Sequence, residues 1–461
     1  MFTSETEARM PKKSKTFVKN SPRAFIRTFG CQMNDADSEV MERLLEREGY
    51  GKIDSPEGAD VIILNTCSVR QHAEDRALSY LASLKRVRKD NPSTVFVLAG
   101  CVAQRLKSKI FEKTPFVNIV LGTDNILELP KLIEKTFQKP NEKVLATEVK
   151  GDLPKLAEGF WSSSSYGCAR SSELTGQVTI MRGCDNFCSY CIVPYVRGRE
   201  RSRAVSDIVS EVEQKGAGGC KEIMLLGQNV NSYRSNSSDF ADLLKEVEKV
   251  DGLERIRFMT SHPKDVSDKL INTIRDSSKI CEHLHLPAQS GSNRILEGMN
   301  RGYTREQYLE LIEKIKREIP RISITTDLMV GFPGEKKEDF EDTLRLVEDV
   351  EFDAAFTFKY STRPGTEAAK EKDDVPLKVK KERLAKLNEL CEKMVLEKNR
   401  RLMGKVEEVM VERFARKEKK LVGRTRGNKR VFFSGDGKDI GELLPVEIEE
   451  AYTWSLLGRV R

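Results

Sequence analysis

The sequence predicts an α/β protein in three parts: an N-terminal Rossmann-like domain of parallel βα units, a central partial (β/α)6 barrel, and a small C-terminal antiparallel β-barrel. Two series of short apolar runs, each alternating with amphipathic segments, carry the first two parts. A closing stretch of short strands and glycines carries the third. The chain has 461 residues, 38% hydrophobic and 33% charged, enough for a substantial core divided among roughly three domains. No apolar run approaches the roughly 18 residues of a membrane span, and "MFTSETEARMPKKSKTFVKNSP" lacks the apolar stretch of a secretory signal. A cytoplasmic protein is expected, with no membrane partner. In that compartment the ten cysteines are read as metal ligands, catalytic groups or buried small residues rather than disulfides.

Residues 1–23 are polar and aperiodic and read as a disordered tail. The N-terminal domain spans residues 24–150, where "AFIRTFGC", "DVIILNTC" and "TVFVLAGC" each precede a helical pattern. All three runs end in cysteine, at Cys31, Cys67 and Cys101. Ligands of open parallel sheets gather beyond the carboxyl ends of the strands, so three thiolates placed there can converge. Three unrelated buried cysteines are the plainer alternative. Residues 151–176, rich in Ser and Gly, read as a linker, with Cys168 a free thiol within it.

The second domain spans residues 177–398. Its strands are "QVTIMRGC", "CKEIMLLGQ", "LERIRFMT", "CEHLHLP", "RISITTDLMVGF" and "FDAAFTFKY". Six βα units suit an incomplete barrel, whose chemistry sits at the strand C-termini and the loops that follow. Gln228, Asn229, Asn231, Ser261, His262, His285, Gln289, Ser290 and Asp327 fall there, and the histidines read as satisfied barrel residues. A long charged helix follows, with Cys391 packing. Residues 399–461 form the small β-barrel.

Charge is uneven. The net is +7, yet Val411 to Arg430 holds nine basic and two acidic residues, while the last 31 residues come to −3. Interleaved with strand residues, this block, with Arg424, Arg426, Lys429 and Arg430, points to nucleic acid. A solvated face is the alternative. A second basic run holds Arg197, Arg199, Arg201 and Arg203, whose guanidinium groups suit phosphate contact.

"MRGCDNFCSYCIVP" places Cys184, Cys188 and Cys191 within eight residues, with no fourth ligand close by. Structural zinc takes four protein ligands, whereas a cubane iron–sulfur cluster held by three thiolates leaves one iron open to an exogenous ligand.

The Cys184, Cys188 and Cys191 spacing, with an aromatic before the last cysteine, resembles the radical S-adenosylmethionine (SAM) signature. The resemblance extends from about Ala24 to Arg461: the three N-terminal cysteines, the barrel and the closing β-barrel together are similar to the methylthiotransferases, whose last domain is the RNA-binding TRAM domain. "RTFGCQMNDADSE", "NTCSVRQHAEDR", "CDNFCSYCIVPYVRGRERSR", "LGQNVNSY", "HLPAQSGS" and "VGFPGE" resemble the MiaB-type branch, which acts on tRNA carrying N6-(dimethylallyl)adenosine next to the anticodon.

That resemblance implies two [4Fe–4S] clusters. The one at Cys184, Cys188 and Cys191 binds and cleaves SAM; an auxiliary one at Cys31, Cys67 and Cys101 carries the sulfur to be methylated and transferred. Two SAM molecules serve each turnover, and replacing the C2 hydrogen of the adenine with a methylthio group follows a carbon-radical route. The family's glycine-rich turn and acidic residue, which hold the SAM amino group, map onto Gly218, Gly219 and Glu222. A plain helix-ending turn is the alternative there. The implied partners are the tRNA anticodon stem-loop and an electron-donor protein such as a flavodoxin, with the chain a monomer. Competing readings are a methylthiotransferase for threonylcarbamoyladenosine tRNA or a ribosomal-protein aspartate, and a non-catalytic zinc-dependent RNA-binding protein.

Overall fold

In the computed structural model of the protein, residues 21–69, 71–151, 153, 160 and 174–461 are described. The expected tail through residue 20, most of the expected linker and Cys168 lie outside them. The first strand, Arg23–Thr28, begins one residue inside the expected tail, and Thr175–Thr179 begins two residues inside the expected linker.

The N-terminal sheet is parallel throughout and has six strands, in the order Gly51–Lys52, Arg23–Thr28, Val61–Thr66, Val95–Gly100, Ile119–Leu121, Val144–Ala146. Three of these were not read from sequence, because two or three residues are too few to show a period. The central strands "VIILNT" and "VFVLAG" are buried at every position. Val61, Ile63, Val95 and Val97 enter the core on one face, and Ile62, Leu64, Phe96 and Leu98 enter it on the other. A strand covered by helices on both faces has no polar side to show, which is why the runs do not alternate. Each such aliphatic side chain contributes about 1.5–3 kcal/mol of burial.

The second domain has the six expected strands in two parallel sheets. Thr175–Thr179, Glu222–Leu226 and Arg255–Phe258 form one; His283–His285, Ser323–Val330 and Ala354–Lys359 form the other. An Ile256–Ile280 bridge joins them. The first and last strands do not pair, so the barrel is partial. The helix Gln32–Arg47 of the N-terminal domain lies against Thr175–Thr179, and its Met33 and Ala36 pack with Met224, Leu226 and Met259. The parallel register sets a direction: residues 180 onward leave the same end of the barrel as Gly227, while Thr175 and Glu222 mark the opposite end.

The helix Leu377–Arg400 buries Cys391, which packs as expected. After it, Val406–Ala415, Lys420–Thr425, Arg430–Phe433, Leu456–Val460 and Leu443–Ala451 close a five-stranded barrel around Val409, Val411, Leu421, Val431, Phe433, Val446, Ile448 and Leu456. The barrel is antiparallel with one exception: Arg430–Phe433 and Leu456–Val460 run parallel. Two arginines of one central-barrel strand dock it. Arg255 donates to the carbonyls of Arg424 (2.7 Å) and Glu408 (3.0 Å), and Arg257 to those of Thr425 (2.7 Å) and Arg426 (2.8 Å). Both side chains are almost wholly buried, and hydrogen bonds from charged donors are worth about 1.5–3 kcal/mol each. Among the described residues no helix is long and apolar enough to cross a membrane.

Candidate active site

The structure brings each cysteine triplet together at a strand end. Cys31 is the N-cap of the helix Gln32–Arg47, Cys67 follows the strand Val61–Thr66 directly, and Cys101 opens the helix Cys101–Leu106. Sharp turns deliver them, and two glycines make those turns possible. Gly30 has φ +135° and Gly100 has φ +89°, conformations that side chains rarely adopt. A Cβ on Gly30 would stand under 3.0 Å from Cys67 Cβ; one on Gly100 would press equally on Asn65. Asn34 and Asn65 tie the first two loops: Asn65 Nδ2 donates to Asn34 O (2.8 Å) and Asn34 Nδ2 to Asn65 Oδ1 (3.3 Å). The Cys67 thiol donating to Cys31, aided by the Arg197 guanidinium, lowers the Cys31 thiol to about 6. The same hydrogen bond, with burial, pushes Cys67 up, and burial pushes Cys101 up.

The second triplet occupies the loop that leaves the barrel after Thr175–Thr179. Gly183 N–H donates to Gln228 Oε1 (2.6 Å), Cys184 N–H to Gly198 O (3.2 Å), and Ser189 Oγ–H to Gly298 O (2.7 Å). Asn300 Nδ2 donates to Phe187 O (3.1 Å), holding Phe187 at φ +45°. Arg301, 5% exposed, places Nη1 3.2 Å from Cys188 Sγ while Nη2 donates to Pro287 O (2.9 Å). Burial raises the thiols of Cys184 and Cys191, to about 11 and about 12.

A salt-bridge triad crosses from one domain to the other. Asp37, 1% exposed, receives Arg182 on Oδ1 (2.5 Å) and Arg197 on Oδ2 (3.0 Å). Arg182 also donates to Thr123 O (2.8 Å), and Arg201 grips Asp124 with both terminal nitrogens (2.7 and 3.1 Å).

Several expected contacts are corrected. Gly218, Gly219 and Glu222 sit at the end of the barrel away from the cysteines. The Glu222 carboxylate accepts from Arg257 (2.6 Å) and Thr175 (3.1 Å), so it belongs to the docking of the C-terminal barrel and not to a SAM contact. The cysteine end instead presents Gln228, Asn229 and the loop at His262, whose N–H donates to Asn229 and Asn231. Of the proposed RNA-facing residues, Arg197 is 3% exposed and paired with Asp37, Arg201 with Asp124, Arg203 with Glu211 (2.6 Å), Arg426 with Glu282 (2.7 Å) and Lys429 with Asp353 (3.0 Å). These five hold elements together, and their charge faces a carboxylate instead of a phosphate. Arg199 and Arg430 are exposed; Arg424 is half-buried against Glu412 (2.8 Å). Arg301, Asp37, Asn34 and Asn65 went unread in sequence, since nothing in a lone Arg or Asn marks it as facing a thiol.

The donor chemistry fits cubane clusters and SAM. Among the described residues no three His, Cys, Asp or Glu side chains converge tightly enough for one metal ion. A cubane asks for less, one thiolate per iron. At the same end of the barrel Ser261 Oγ and His262 Nε2 are buried without a partner, and the His262 ring packs edge-on against Tyr303, which accepts from the Arg301 that meets Cys188. Burial lowers His262 to about 2, so the ring is neutral and its free nitrogen is open to a polar ligand.

A partial (β/α)6 barrel with three cysteines in the loop after its first strand defines a radical S-adenosylmethionine protein, and residues 178–347 match the Radical SAM superfamily model. Residues 23–122 match Uncharacterized protein family UPF0004, and residues 400–460 match the TRAM domain. A tRNA-2-methylthio-N(6)-dimethylallyladenosine synthase of Carboxydothermus hydrogenoformans is 48% identical over 440 residues, 94% of this chain and 98% of the relative. One of Clostridium perfringens is 47% identical over 441 residues, 94% of this chain and 97% of the relative. Among solved structures, the radical S-adenosylmethionine methyltransferase TsrM of Kitasatospora setae superposes with a TM-score of 0.54 at 15% identity, covering 76% of this chain and 77% of that one, a likeness of fold alone. The chain belongs to the family of tRNA-2-methylthio-N(6)-dimethylallyladenosine synthases.

Proposed function

We propose that the protein methylthiolates N6-(dimethylallyl)adenosine in tRNA, next to the anticodon, using SAM and two [4Fe–4S] clusters held at Cys184, Cys188, Cys191 and at Cys31, Cys67, Cys101. The observation that carries this reading is the pair of three-cysteine sites, one per domain, with the loops around them locked through Asp37. When bound, the barrel cluster and SAM supply a carbon radical able to take a hydrogen atom from an unactivated C–H bond.

The chain's own residues orient and enclose. Gln228 fixes the start of the cysteine loop through Gly183, and Gly298 and Asn300 brace its middle. Arg301 sets a permanent positive charge 3.2 Å from Cys188 Sγ, which holds that side chain in place at the mouth of the loop. Ser261 and His262 offer polar atoms to SAM, and the neutral His262 does not compete for protons near neutral pH. Asp37 and its two arginines hold the N-terminal thiolates at a set distance from the barrel loop, so that an adenine between the domains meets both.

The exposed Arg199 and Arg430 supply phosphate contacts for tRNA. The reading extends to a cytoplasmic protein, reduced by a small electron-donor protein such as a flavodoxin and working as a monomer. Nucleoside analysis of tRNA from a deletion strain tests it: the 2-methylthio derivative should disappear and return with the wild-type gene. Cys184→Ala should abolish SAM cleavage, whereas Cys67→Ala should lose methylthiolation and keep cleavage. Unchanged 2-methylthio nucleosides in the deletion strain would overturn the proposal.

A further inference from the structure

Arg197 was expected at the surface and is instead among the most enclosed cations of the protein. It leaves the helix Val193–Arg197, six residues after Cys191, and crosses into the N-terminal domain. Its Nη2 donates to Asn34 Oδ1 (3.1 Å) and Asp37 Oδ2 (3.0 Å). Its Nη1 is buried and meets no nitrogen or oxygen acceptor, and the guanidinium's other polar contact is a side-chain hydrogen bond with the Cys101 thiol. A buried donor without an acceptor is destabilising, and in native proteins such a group commonly marks a site whose ligand supplies the bond. Besides Asp37, the charges that act on this guanidinium are the thiols of Cys101 and Cys31. The orphaned N–H is therefore held beside the three-cysteine site of the other domain.

We propose that Arg197 is a positioning residue of the site at Cys31, Cys67 and Cys101: its free Nη1 faces the anionic sulfur held there, and Asp37 fixes where that cation stands. The inference rests on the reading that those cysteines hold an iron–sulfur cluster. The barrel triplet has a counterpart in Arg301, whose Nη1 stands 3.2 Å from Cys188 Sγ and whose side chain is equally buried. Each three-thiolate site thus has one enclosed guanidinium at its edge. At the N-terminal site the cation comes from the opposite domain, so the site is complete only when the two domains are docked.

A fixed cation stabilises the more negative, reduced state of a cluster, and a carboxylate beside it does the reverse. The two substitutions therefore have opposite signs, which a merely structural role would not produce. Anaerobic wild-type protein and the variants R197Q, R197K and D37N are compared by iron content and by potentiometric titration followed by electron paramagnetic resonance. In R197Q the potential of the N-terminal cluster should fall; in R197K, which keeps the charge without the planar fork, it should fall less. In D37N it should rise. The barrel cluster should move less in every case. Potentials of the N-terminal cluster that stay put, or that move the same way in R197Q and D37N, overturn the proposal. Should R197Q fail to hold iron, D37N decides: an unchanged or lowered potential with full iron refutes it. Wild-type protein with about four irons, where two cubanes require about eight, would sink the two-cluster reading itself; about eight irons with unshifted variants sinks only the role of Arg197.

Discussion

Gly30→Ala is the sharpest perturbation of the N-terminal site that leaves every thiol in the chain. Gly30 stands at φ +135°, and an added methyl would lie under 3.0 Å from Cys67 Cβ and 3.1 Å from Cys67 Sγ. Carbon atoms rest about 3.5–4.0 Å apart, so the two loops must part by roughly an ångström. Holding a non-glycine residue in that backbone region costs about 1–3 kcal/mol, and overpacking a close contact costs about 1–3 kcal/mol more. The sum of about 2–6 kcal/mol acts on the geometry that three thiolates need to grip one cluster, an equilibrium effect of about 30-fold to about 20,000-fold at 1.4 kcal/mol per tenfold. Gly49→Ala is the control: its φ is +86°, but nothing lies within 4 Å of the added methyl. Anaerobically purified protein is assayed for iron, with about eight per chain expected in wild type and Gly49→Ala and about four in Gly30→Ala. SAM cleavage at the barrel triplet should persist. Gly30→Ala protein with about eight irons and an unaltered second cluster signal would refute the reasoning, because the close approach of Gly30 to Cys67 would then be dispensable.

Two further outcomes follow from charge. In metal-free protein Cys31 is held as thiolate at neutral pH, because its value of about 6 lies below its ordinary 9.0, while Cys184 and Cys191 stay protonated. Iodoacetamide should therefore label Cys31 first, and the preference should fade as pH drops through about 6; peptide mapping that finds Cys191 labelled first contradicts this. Arg257→Met strips the buried Glu222 of its ion pair and frees two carbonyls of the C-terminal barrel, a loss of about 3–5 kcal/mol by the usual cost of breaking a buried pair. Limited proteolysis should release that barrel faster while iron content holds, and an unaltered cleavage pattern would show that Arg257 does not dock it.

The two cysteine triplets were legible because their chemistry restricts the residue type and the strand punctuation restricts the place. The barrel strand Glu222–Leu226 was legible for the same reason that Val61–Thr66 was, since a buried parallel strand reads as an apolar run, whereas the only partly buried Thr175–Thr179 and Ala354–Lys359 were marked by their place between helical patterns. What stayed hidden was direction. "RGRERSR" announces charge, but whether Arg201 meets Asp124 or solvent depends on a loop 77 residues away in sequence. The turn at Gly218 and Gly219 maps to SAM only through its resemblance to the family's glycine-rich turn. It precedes the strand Glu222–Leu226, and ligands gather where strands end, so the stretch "LGQNV" on the far side of that strand was the better place to look. Close approaches such as Gly183 to Arg199 O are likewise invisible until the chain is folded.

The interface between the first two domains divides its labour between apolar contact and charge. Met33, Ala36, Met224 and Leu226 bury an apolar patch, which favours docking without fixing its register, since flexible methionine surfaces tolerate sliding. Arg182, Asp37 and Arg197 add little net stability, because taking three charged groups out of water offsets most of their attraction. They do fix direction. Arg182 stands two residues before Cys184, Arg197 six after Cys191, and Asp37 six after Cys31. A slide of one domain over the other would leave a carboxylate 1% exposed without its partners, a far larger cost than the apolar patch would register. A chemistry in which a radical formed at one site must reach an adenine that also meets sulfur at the other depends on that fixed separation. The buried triad is where the fold sets it.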